Sequence, residues 1–176
     1  MNTWYYHALL RLFLNDAKGY RQTCARMLKQ FGSPNDAAVA NTMAWTLVLG
    51  PGAVPDPQIA LRLARRGVAG LPEASRLNTL GGALLRAGQG PEAIAVLLQA
   101  VEKQGRGGTP FDWALLALAS AQQGQREEAR RWLDRLSAWD ASPSARLAGK
   151  DAPWYRKLQL QVLRAEAETR LGRGDR

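Results

Sequence analysis

Little in this chain could support catalysis. His7 is the only histidine, so neither a histidine-based metal site nor a histidine-centred triad has a second member to recruit. It reads as a packing or surface group. Cys24 is the only cysteine, which excludes an intramolecular disulfide and every multi-cysteine metal site. Set among Tyr20, Met27 and Leu28 at helical spacing, it reads as a small buried apolar residue. The carboxylate pairs Glu127/Glu128 and Glu166/Glu168 are adjacent or two apart and do not share a helix face. They read as solvated helix charges rather than an acid–base pair. Gly50-Pro51-Gly52, Gly88-Gln89-Gly90 and Gly105-Arg106-Gly107-Gly108 invite comparison with phosphate loops, yet none is followed by Lys-Ser/Thr and none follows a strand. No enzymatic activity, metal or cofactor is expected.

Recognition is the chemistry left, and helices must position it. Leu, Ala, Arg and Gln dominate while β-branched residues are sparse, a mixture that loses little side-chain freedom in a helix. The nine prolines and seventeen glycines fall mostly between apolar stretches and act as punctuation. Within those stretches a pattern recurs. Leu77, Leu80, Gly81 and Leu84 precede Ala93, Leu97 and Ala100; Trp113, Leu116 and Ala117 precede Ala129, Leu133 and Leu136. An earlier copy has Ala44 as its small residue, Ala60, Ala64 and Gly67 in a second helix, and Pro72 at its close. Ala60 and Ala93 are 33 residues apart and Ala93 and Ala129 are 36 apart, bracketing the period of about 34 that marks tetratricopeptide repeats. The small residues have a steric purpose, because only they let paired helices approach within about 8–10 Å. Gly81 is expected to face Ala93 in this way.

The connections agree. Pro91 falls in the first turn of a helix, where its missing N–H is harmless. Gly124 ends one helix, and Glu127 and Glu128 lie at the positive end of the next. Asp56 before Pro57 reads as an N-cap. The stretch Leu49–Asp56 lengthens a turn within one hairpin, and Gln104–Pro110 loosens a step between hairpins. Residues 4–14 and 19–31 read as a degenerate hairpin with Gly19-Tyr20 at its turn. Trp154 to Leu171 reads as one amphipathic helix without a second, suited to capping the last hairpin, with Trp132, Trp139 and Trp154 packed beneath it. The predicted fold is a single all-α domain, a right-handed α-solenoid of about four tetratricopeptide-type hairpins: 1–34, 35–72, 73–106 and 107–141, then a capping helix at 152–171.

Four dispersed motifs carry a more specific resemblance. They are Leu10-Arg11-Leu12 with Gly19-Tyr20-Arg21-Gln22-Thr23-Cys24, the run Ala44-Trp45-Thr46-Leu47-Val48-Leu49-Gly50-Pro51, Asp112-Trp113 with Glu128-Ala129-Arg130-Arg131-Trp132-Leu133-Asp134, and the closing segment from Trp154 to Glu168. In this order they resemble the C-terminal tetratricopeptide regions of planctomycete-type bacterial serine/threonine kinases and WD40-repeat proteins. The resemblance implies a protein-binding appendage for signalling or scaffolding. No glycine-rich ATP loop, His-Arg-Asp segment or Asp-Phe-Gly is present, so kinase activity is not expected.

In this repeat class the first helix of each hairpin lines a concave surface. Projected onto it, the side chains expected to be free for a partner are Asn41 and Trp45, Asn78 and Arg86, and Phe111 and Gln122. Asn can hydrogen-bond an extended backbone, while Trp and Phe serve as anchors. The Lys/Asn/Arg carboxylate clamp of chaperone-tail binders is not matched, because Trp45, Thr79, Phe111 and Leu115 occupy the corresponding faces.

Charge sets the partner class. The formal net charge is +9, with eight Lys/Arg against three Asp/Glu in residues 1–72 and twelve against eight in 126–176. The cations are mostly isolated, and no basic run interleaves with aromatics as a phosphate-tracking groove would. An acidic protein or peptide is therefore the expected partner, with a basic nucleic-acid adaptor the alternative. No stretch resembles a signal peptide or a membrane span of about 20 apolar residues, so a cytoplasmic location is expected.

Overall fold

A computed structural model of the chain describes residues 1–142 and 153–173. Among these, every regular element is a helix: α1 (Asn2–Phe13), α2 (Ala17–Phe31), α3 (Ala37–Val48), α4 (Gln58–Val68), α5 (Ala74–Arg86), α6 (Gly90–Gln104), α7 (Pro110–Gln122), α8 (Arg126–Asp140) and α9 (Trp154–Arg173).

Local chemistry fixes the helix starts. Asp16 caps α2 by accepting from the Gly19 N–H at 2.8 Å, and Asp36 caps α3 by accepting from Val39 at 2.8 Å. Thr109 and Asp112 form a reciprocal capping box at the head of α7, satisfying two amides that would otherwise be orphaned. Pro91 occupies the first turn of α6. Asp56 accepts from the Gln58 N–H at 2.9 Å, so it caps α4 from one residue outside the position expected. The first turn of the chain also differs from expectation. Gly19 and Tyr20 lie inside α2, and the reversal is made by Leu14, Asn15 and Asp16, with Asn15 at φ 57°. An asparagine tolerates the left-handed conformation, so this turn needs no glycine.

Consecutive helices pack in pairs, α1 with α2, α3 with α4, α5 with α6 and α7 with α8. The odd-numbered helices then pack on one another in order, α1 on α3, α3 on α5 and α5 on α7. Small residues form the seams: Ala8, Cys24, Ala40, Ala44, Ala64, Ala93, Ala117 and Ala129 are all fully buried. A Cβ on Gly81 would sit 2.5 Å from Leu97 Cγ and 3.4 Å from the Ala93 carbonyl, so Leu97 sets this approach more than Ala93 does. One on Gly82 would collide with Val48 of α3.

α9 does more than cap the last pair. It packs on α7 and α8, and also on α1. Leu163 and Ala167 are fully buried in the main core, while Tyr155, Leu158 and Val162 pack against Tyr5, Leu9 and Leu49. These two sets occupy different faces of one helix, so α9 is wedged between the last pair and the first. Trp132 and Trp139 pack against the core as expected. Trp154 does not join them. It is 49% exposed and stacks on Tyr6 of α1, ring centres 5.2 Å apart. Residue 152 of the anticipated cap lies outside the described residues. No described helix is long and apolar enough to cross a membrane.

Candidate functional site

Four of the six projected side chains meet in one place. Asn41 and Trp45 of α3, Asn78 of α5 and Phe111 of α7 line a cleft of about 350 Å³ to which Gln104 at the end of α6 and Tyr155 and Arg156 of α9 also contribute. The Trp45 and Phe111 rings meet edge to face with centres 6.2 Å apart, a favourable arrangement of their quadrupoles. The Arg156 guanidinium lies 5.3 Å over the Phe111 ring, within cation–π range. Asn41 sits against Gly67 of α4, where an added Cβ would come within 3.0 Å of the Asn41 Cβ. Its Oδ1 is buried and has no hydrogen-bond donor among the described residues.

Three of these side chains also serve the structure. Asn78 is 7% exposed and donates through Nδ2 to Asp112 Oδ1 at 2.6 Å. Asp112 accepts with its other oxygen from the Thr109 N–H and hydroxyl, each at 2.7 Å. Asn78 thus ties α5 to the capping box of α7. Trp45 and Phe111 pack between helices as well as lining the cleft.

Arg86 and Gln122 lie apart, around a separate pocket of about 310 Å³ beside the Pro51–Pro57 connection. Arg86 is fully engaged within the chain. Its Nε donates to the Val48 carbonyl at 2.8 Å, and its two terminal nitrogens donate to the two oxygens of Glu166 at 2.6 and 2.7 Å. The pair is sequestered, with side chains 9% and 14% exposed. Glu166 is therefore not a solvated helix charge. Burial pushes its carboxyl up, but the bonds and charge of Arg86, helped by Arg170, outweigh burial and hold it below the ordinary range. Glu168, two residues on, is exposed and pairs with Arg164 at 2.8 Å.

Residue-level reading did not find Tyr155, Arg156 or Gln159 as part of the site, because α9 was expected to cover only the last pair. One signal was available in principle. A helix carrying Tyr155, Leu158 and Val162 on one face and Leu160, Leu163 and Ala167 on another has two apolar faces, and a terminal cap needs one. Close by, the Tyr5 hydroxyl is buried without a hydrogen-bond partner among the described residues. Burial pushes its ionisation well above the ordinary tyrosine range.

Among known proteins, no family model matches this chain, and no curated protein or solved structure shows significant similarity to it.

Proposed function

We propose that the chain is a non-enzymatic helical-repeat protein of the tetratricopeptide type, a right-handed solenoid that binds a protein or peptide segment in the Asn41–Trp45–Asn78–Phe111 cleft. The observation that carries this reading is the convergence of those four side chains with Tyr155 and Arg156 of α9 around one opening. Its chemistry suits an extended segment. The aromatic edges offer an apolar seat, and Arg156 supplies a cation for an acidic side chain. A role in signalling or scaffolding is what the sequence resemblance implies.

Peptides selected from a random displayed library on the wild-type protein should bind Arg156→Glu and Asn41→Ala variants roughly tenfold more weakly, the equivalent of about 1.4 kcal/mol. Equal affinity for wild type and both variants would sink the cleft assignment.

A basic nucleic-acid adaptor is the competing reading. It is motivated by the net charge and by α2, whose exposed face carries Lys18, Arg21, Arg26 and Lys29 with no acidic side chain. Phosphate contacts make affinity fall steeply with salt. Absence of DNA or RNA binding at low salt removes this reading.

A further inference from the structure

The buried stripe of α9 contains a residue that packing does not explain. Gln159, Leu163 and Ala167 recur every four residues and are 6%, 0% and 0% exposed, the most enclosed side chains described on the helix. Leu163 and Ala167 sit in the main core. Gln159 occupies the position where an apolar side chain would continue that seat, and a buried polar group is more informative than an exposed one. Its amide has no hydrogen-bond partner among the described residues, yet it is not sealed from solvent, and it lines the Asn41–Phe111 cleft. A side chain enclosed this far, with donor and acceptor both unused, is organised for a group outside the chain.

The neighbouring side chains indicate which group. Arg156, one turn earlier on α9, lines the same cleft with its guanidinium over Phe111, and it makes no ion pair among the described residues. Asn78 commits its Nδ2 to Asp112 at 2.6 Å, which leaves Oδ1 as an acceptor. Asp112 is the only other charged side chain lining the cleft; it is 3% exposed and accepts three hydrogen bonds. One cation against one buried anion leaves the cleft close to neutral, so a polyanion is not drawn to it. A neutral chain that presents donors and acceptors side by side finds complements for both. In an extended peptide the N–H and C=O of one residue point to the same side, and a primary amide can engage both as a neighbouring strand would.

We propose that Gln159 reads the main chain of the segment bound in the cleft: its Oε1 accepts one residue's N–H and its Nε2 donates to the same residue's C=O. This rests on the cleft as the binding site and adds how the segment lies in it. Residues three apart on a helix surface are about 5–6 Å from one another, and an extended chain advances about 3.3 Å per residue. The acidic side chain that meets Arg156 therefore falls within two residues of the one held by Gln159.

The probes are peptides selected from the displayed library on the wild-type protein, resynthesised with each main-chain N–H methylated in turn. Gln159→Met keeps the length of the side chain and removes both hydrogen-bonding groups. Because the amide has no partner within the chain, that change strands nothing, and the fold and the denaturation midpoint should hold. Gln159→Leu is the second variant. Unmethylated peptide should bind either variant roughly tenfold more weakly than wild type. On wild type, methylation at one position within two residues of the essential Asp or Glu should also cost roughly tenfold. On the variants the same methyl group should cost less than about twofold, a coupling that isolates the contact and that a merely structural glutamine would not produce. Equal methylation penalties on wild type and variants overturn the proposal, as does undiminished affinity for Gln159→Met and Gln159→Leu. So does a mononucleotide whose binding those variants abolish while no peptide is recovered, which assigns the amide to a base. Peptides weakened by Arg156→Glu but indifferent to Gln159 overturn this proposal and leave the cleft reading standing; peptides indifferent to Arg156, Asn41 and Gln159 remove both.

Discussion

Arg86 shows how far a side chain's role depends on something eighty positions away. It was read as free for a partner, and the sequence held no sign that Glu166 would meet it, because no local rule pairs residues on helices so distant in sequence. The partnership has measurable consequences. Removing one member of a sequestered pair strands the other, so Glu166→Ala should destabilise the protein by about 3–5 kcal/mol, read from chemical denaturation. Replacing both, as Arg86→Met with Glu166→Leu, should recover most of that loss, since an apolar pair strands no charge. The pH response follows with a definite sign. Glu166 titrates lower in the folded protein than in the unfolded chain, where the value is about 4.3. Its contribution is therefore complete above that value and disappears as pH falls through the lower folded one. Wild type should lose stability across this acid range, and the double apolar variant should lose measurably less. Cys24 contrasts with Arg86, since its neighbours at helical spacing sufficed to read it as buried. Burial pushes its thiol up to about 12, so a thiol reagent at neutral pH should label it only as fast as the protein unfolds.

At the scale of elements, most boundaries were legible because they are written in local chemistry: Pro91 and the Thr109–Asp112 box at starts, Gly124 after an end. The reversal at Leu14–Asp16 was not, because Asn15 does there what a glycine usually does. The seams between helices were legible in kind and less so in partner. Gly81 was expected to admit Ala93, and it admits chiefly Leu97, while Gly82 admits Val48 from a different pair. A methyl group at either position gains up to about 1 kcal/mol of helix propensity. It must also displace a buried side chain, and overpacking of that kind costs about 1–3 kcal/mol. Gly82→Ala should consequently lower the thermal midpoint, whereas Ala at an open, exposed helical glycine such as Gly172 should not.

For the molecule as a whole, an all-helical repeat array was legible from the recurring small residues, but the reach of α9 was not. Periodicity reports which neighbours repeat, and α9 repeats nothing. If the chain is shortened to end before Trp154, Tyr5, Leu9 and Leu49 lose their cover at one end, and α7 and α8 lose the helix packed on them at the other. Self-association or dye binding should follow, and a well-behaved monomer would contradict the packing described for α9.

The wedging of α9 between α1 and α7 also alters the order of events during synthesis. A simple repeat array responds to its nearest neighbours, so early repeats can settle before later ones exist. Here Tyr5 and Leu9 are made well before Tyr155, Leu158 and Val162 and wait for them. The α1–α2 pair must leave the ribosome with an unfinished apolar side, and only arrival of α9 closes it. Amide protons of α1 should therefore gain full exchange protection together with those of α9, despite the length of chain between them. A nascent chain stalled before Trp154 should remain cleavable by protease near Tyr5.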